Sequence, residues 1–149
     1  MYNDDRAVSI TVGYVLNFAI ATVLFSALLI GGSGLIESQT RTVTQDELSV
    51  AGQQLAAELS SADRLVRAGD GDPSELSIRT ELPTRTAAGG YSIGIEHSGG
   101  EGTIELRSTN PEVVVTVPFR SETEVDTVTV AGGSVRIEYA GGSLAVEAE

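Results

Sequence analysis

From Ala7 to Ile36 the chain runs for thirty consecutive residues without a single charge, and this stretch limits what the rest can become. As a helix it would extend about 45 Å at 1.5 Å per residue, more than the roughly 30 Å of a bilayer's hydrocarbon core. Cleaved secretory signals carry an apolar region of only about 7 to 15 residues, so this segment is expected to stay in the mature protein. The 149 residues leave room for that anchor and one compact domain. Within the span, Thr11, Asn17, Thr22 and Ser26 are the polar side chains available to neighbouring helices, where such hydrogen bonds gain on average about 0.6 kcal/mol. Asn17 is the strongest candidate among them.

The remaining sequence is acidic. The formal charge is −12, and everything but Asp4, Asp5 and Arg6 lies after Ile36, where 19 acids face eight arginines for a net −11. All nine basic residues are arginine, and the acids are scattered rather than gathered in one run. Such a surface suits high salt, because near 1 M the Debye length falls to about 3 Å and self-repulsion is screened. A halophilic host is the expectation, with an ordinary acidic protein as the alternative. A polyanion without a basic cluster is repelled by phosphate backbones, which disfavours nucleic acid as a partner. The chain has no cysteine, which excludes disulfides, thiolate metal sites, cysteine nucleophiles and a lipidated cysteine anchor.

Asp4-Asp5-Arg6-Ala7-Val8-Ser9, followed by Gly13 and the apolar helix, resembles the leader and helix start of halophilic archaeal type IV pilins. The resemblance implies a class III signal peptide, cut by a prepilin peptidase on the cytoplasmic side between Arg6 and Ala7. Members often carry Pro-Val-Ile-Gly where this chain has Ile10-Thr11-Val12-Gly13, so only the glycine is kept, as in a divergent or minor subunit. Bacterial pilins have a glutamate early in the mature helix, whereas the fifth position after the proposed cut is Thr11. The resemblance covers about the first 30 residues and also implies an assembly platform, an ATPase and other pilin subunits as partners. On the residues alone, an uncleaved signal anchor that never polymerises remains open. The short N-terminal side is placed inside and the acidic head outside.

Gly31, Gly32 and Gly34 interrupt the apolar run, and each costs roughly 0.5 to 1 kcal/mol relative to alanine in a helix. A hinge, by kink or local melting, is expected there. Glu37 and Arg41, four apart, favour an early resumption of helix. Thr44-Gln45-Asp46-Glu47 has the form of a capping box and offers a fresh start at Thr44 instead. From Leu48, apolar residues Ala51, Leu55, Leu59, Ala62 and Val66 recur at three and four, which predicts an amphipathic helix ending near Ala68, ahead of Gly69 and Pro73.

Beyond Asp72 the period changes to two. Strands are predicted at 75–82, 91–96, 103–107, 112–119, 125–130, 134–139 and 143–146, separated by glycine pairs. The last three read as a meander, and Val113-Val114-Val115 with Val117 as a central strand buried on both faces. The expected fold is α+β: a long N-terminal hydrophobic helix continuing into an amphipathic helix packed on a small antiparallel β head, sandwich-like, of about seven strands. Its parts are a cytoplasmic leader (1–6), a transmembrane or assembly helix (7–36), the amphipathic helix (37–68) and an extracytoplasmic β domain (69–149).

Chemistry is sparse. His97 is the only histidine and reads as a surface residue, so a Ser/His/Asp triad or a histidine zinc cage has little support. Asp70, Asp72 and Glu75 could hold Ca²⁺ but lack the twelve-residue loop pattern and read as a solvated linker. No enzyme activity, metal or cofactor is expected. The expected function is that of a pilin-like structural subunit of a surface filament, assembled through Ala7, Gly13, Asn17 and the rest of the helix. The alternative is a single-pass envelope protein whose β head binds a ligand.

Overall fold

The computed structural model describes residues 2–69 and 76–149, with side chains from residue 11 onward. A single helix, α1 (Tyr2–Ala68), precedes eight strands. Contacts divide the chain into Met1–Gln39 and Thr40–Glu149, and α1 contributes residues to both.

Within Thr40–Glu149 the helix residues that the three-and-four spacing selects are the buried ones: Leu48, Ala51, Leu55, Leu59, Ala62 and Val66. They join the inward residues of the strands in one hydrophobic cluster. The helix ends at Ala68, where the Gly69 N–H donates to the Leu65 carbonyl at 3.1 Å.

The strands are β1 (Ser77–Thr80), β2 (Tyr91–Ser98), β3 (Glu101–Thr109), β4 (Glu112–Arg120), β5 (Glu124–Val125), β6 (Val128–Ala131), β7 (Val135–Ala140) and β8 (Ser143–Ala148). They form two four-stranded sheets, ordered β1-β7-β8-β5 and β4-β3-β2-β6. Period-two alternation buries one face of the central strands. Ile93 lies opposite Leu106 and Val130, and Ile95 opposite Ile104 and Val128. Ile137 sits opposite Val146 in the other sheet.

Several expectations are corrected. Eight strands replace seven because the run at 125–130 splits: β5 lies parallel to β8, while β6 pairs antiparallel with β2 in the other sheet. The final meander is therefore reduced to the β7–β8 hairpin, and one strand pair is parallel. The valine-rich β4 is an edge strand, with Val113 buried, Val115 and Val117 half-buried and Val114 exposed. Pro118 explains the placement, since a residue without an N–H is tolerated at a sheet edge and not in its middle.

The helix also departs from expectation. Gly31, Gly32 and Gly34 are helical, which removes the melting form of the hinge and leaves the kink; a glycine penalty of about 1 kcal/mol is small against the cooperativity of a long helix. The capping-box start at Thr44 does not occur either. Thr44 lies inside α1, buried with its hydroxyl unpartnered, and Glu47 instead accepts the Ala87 N–H at 2.7 Å.

Candidate functional site: the apolar helix and the ties of the head

Between Val12 and Ile36, fourteen large apolar side chains are each at least half exposed. They point to all sides of the helix rather than to one stripe, the pattern of a segment surrounded by apolar neighbours. The most apolar 18-residue stretch has a mean hydropathy of 2.1 and is wholly unburied. The chain therefore carries one helix long and apolar enough to cross a membrane.

The small polar groups in this helix are largely turned inward on its own backbone. Thr22 Oγ1 donates to the Phe18 carbonyl at 2.8 Å, Ser26 Oγ to that of Thr22 at 2.9 Å and Ser33 Oγ to that of Ile30 at 2.9 Å. Such bonds let a hydroxyl sit on an apolar surface without an external partner. Asn17 keeps an exposed carboxamide, and a Cβ added at Gly13 would meet nothing within 4 Å. Arg6 and Ala7 lie in α1, with their side chains outside the described residues, as are Asp70, Asp72 and Glu75.

In the head, polar side chains act as ties between elements. Asp63, 5% exposed on α1, was not singled out by sequence reasoning, although its position four residues before Arg67 was a signal. Its Oδ1 accepts the Thr123 N–H at 2.8 Å, the Thr123 hydroxyl at 2.9 Å and the Glu122 N–H at 3.1 Å. Its Oδ2 meets Arg67 Nε at 3.2 Å. Burial pushes the Asp63 pKa up, but the Thr123 and Glu122 bonds and the Arg67 charge outweigh it and hold the carboxyl below its ordinary value.

His97 is half-buried rather than a surface residue. Its Nε2 lies 3.1 Å from the Ser121 carbonyl and its Nδ1 accepts the Val125 N–H at 3.3 Å. That pairing makes Nδ1 the acceptor and Nε2 the donor. Its ring stacks on Phe119 at 5.9 Å, and Phe119 in turn covers Gly102, where any Cβ would fall within 2.4 Å of two ring atoms. Asp63 and His97 thus fasten the same segment, 121–125, which carries the chain from one sheet to the other. Both ring nitrogens are engaged in this structural role.

A cleft of about 360 Å³ beside this segment is lined by Arg64, Arg67 and Arg120 together with Asp63 and Glu122. Arg67 is bound to both of those carboxylates and Arg120 to Glu101, so the cleft is an ion-pair network. Among the described residues no group of three potential metal ligands converges.

A family described as being of unknown function, DUF7266, matches residues 3–149, spanning both the apolar helix and the head. The chain belongs to this family. No match was found among curated proteins or among solved structures.

Proposed function

We propose that this chain is a pilin-like structural subunit of a type IV pilus-like surface filament, cut between Arg6 and Ala7 by a prepilin peptidase. The observation that carries the reading is the uninterrupted apolar helix, exposed on every side. Each large apolar side chain left in water forfeits about 1.5 to 3 kcal/mol, so fourteen of them demand continuous cover. Lipid supplies it before assembly, and the same helix of other subunits supplies it afterwards. All-round hydrophobicity suits both surroundings, whereas a narrow stripe would suit only a docking helix.

The head fits the outer position. Its acidic surface keeps a fibre soluble and, in a halophilic archaeal setting, is screened by salt. The partners of this reading are the membrane, the peptidase, an assembly platform with its ATPase, and other pilin subunits. The head lies outside the cell, and the chain's role is structural rather than catalytic.

The test is processing. Replacing Arg6 or Gly13 in the native host should leave an unprocessed precursor in the membrane and abolish its appearance in filaments. Normal surface display and an unchanged N-terminus in both variants and wild type would favour the uncleaved, ligand-binding anchor instead.

A further inference from the structure

A cleft larger than the arginine-lined one, about 920 Å³, opens on the β4-β3-β2-β6 sheet. The strand register sets out its chemistry. Glu96 lies opposite Thr103 and Thr103 opposite Pro118; beside them Ser98 lies opposite Glu101 and Glu101 opposite Arg120. Residues two apart in a strand share a face, so these six positions form two rows of three on one side of the sheet. Strand and residue spacings make this a platform of about 10 by 7 Å. Thr103 is half-buried and the other five are exposed. The row between them, His97, Gly102 and Phe119, faces the opposite way. Phe119, closed over Gly102 and stacked on His97, braces the three strands from behind, so the platform is ordered before anything binds.

Arg120 also lines the 360 Å³ cleft, and the two depressions meet at its side chain. Three of the eight arginines after Ile36 line that smaller cleft, in a region whose net charge is −11. Arg67 is held by two carboxylates. Arg64 donates to Ser61 Oγ at 3.0 Å and forms no ion pair among the described residues. Arg120 pairs with Glu101, both largely exposed, and an exposed pair of this kind gives way readily to a better acceptor. Two guanidiniums therefore remain for an incoming anion.

Together the two depressions select the ligand. Ionised carboxylates accept hydrogen bonds and donate none, so Glu96 and Glu101 favour a ligand rich in hydroxyls and repel one that is anionic along its length. The arginine forks favour a carboxylate. A nucleic acid or an acidic peptide satisfies the arginines and not the glutamates; a neutral sugar does the reverse. A saccharide with a single carboxylate satisfies both.

We infer that this double cleft is a binding site for a monocarboxylated saccharide, its carboxylate on Arg64 and Arg120 and its hydroxyls on the Glu96–Thr103 and Ser98–Glu101 rows. The site lies wholly in the head and goes beyond the assembly reading. It serves a subunit in a filament and a tethered head alike.

The test is calorimetric titration of the full-length protein in detergent micelles at one KCl concentration. Glucuronosyl-glucose or galacturonosyl-rhamnose, each with one carboxylate, should bind at one site per chain and about tenfold or more tighter than cellobiose. Arg64→Gln and Arg120→Gln should each weaken that binding about tenfold or more, and Thr103→Val about threefold or more, with the thermal midpoint unchanged. Arg85→Gln, on the loop before β2, should leave it as it is. No saturable binding of either sugar acid, equal binding of cellobiose, or full affinity in both arginine variants would overturn the inference. So would tighter binding of triglutamate, or displacement by an equal concentration of sulfate, since either would mark a general anion site. Processed filaments whose subunit binds neither sugar acid would sink the inference and leave the pilin reading standing; an unprocessed chain that binds one would do the reverse.

Discussion

At the scale of single residues, the head is held by a few groups whose loss has calculable effects. Asp63→Ala strands the Glu122 and Thr123 N–H groups and should cost about 2 to 4 kcal/mol of stability, measured by denaturant unfolding. Because the folded state lowers the Asp63 pKa below its ordinary 3.8, its contribution is complete above that value and is lost as pH falls through the lower folded-state value. Asp63→Asn should therefore flatten the stability–pH curve below about pH 4; an unaltered acid limb would contradict the tie. Thr44 makes the opposite prediction. Its buried hydroxyl has no partner, so Thr44→Val should raise stability by about 1 kcal/mol, read as a higher unfolding midpoint. Gly102 tolerates no side chain beneath Phe119, and Gly102→Ala should lower stability by about 1 to 3 kcal/mol. Apart from the four-residue spacing of Asp63 and Arg67, none of these roles was legible beforehand. A tie depends on which loop reaches the residue, and a glycine's partner lies on another strand; Phe119 is 17 positions from Gly102, across the β3–β4 pairing.

At the scale of elements, periodicity reported what each residue faces and was silent on what lies beside it. The stripe from Leu48 to Val66 was readable because a 3.6-residue repeat fixes one face of a helix, and every predicted member is buried. Leu55→Ala should accordingly cost about 2 to 5 kcal/mol, whereas Leu65→Ala on the exposed face should leave the isolated head's midpoint nearly unchanged. Strand existence was equally readable, but strand order was not. The run from Val125 to Val130 looks like one strand by composition, yet it breaks step at Asp126 and Thr127, both exposed, where the chain passes between sheets with the Asp126 N–H donating to the Leu144 carbonyl on the way. Val113 to Val117 looked central by composition, and only the absent N–H of Pro118 marked an edge. Gly52 shows the same limit on the helix: a Cβ there would lie 2.7 Å from Leu106 and Val117, a close approach that no one-dimensional pattern encodes.

At the scale of the whole molecule, two properties stand together, a helix long and apolar enough to cross a membrane and a head that carries nearly all the charge. The net −11 after Ile36 predicts a salt-dependent stability: raising KCl from about 0.1 to 1 M shortens the Debye length from about 10 to 3 Å and should raise the head's melting temperature by several degrees. A flat or falling response would remove the argument for a high-salt setting. The apolar helix was legible as a whole because thirty uncharged residues need no register or partner to be recognised. The claim on which the rest depends is that the apolar helix stays attached to the head and exchanges lipid for protein neighbours. Intact-mass measurement of this chain in purified surface filaments tests it most directly. The account predicts a polypeptide running from Ala7 to Glu149; a head found only in the soluble fraction, trimmed of residues 7–36, would contradict it.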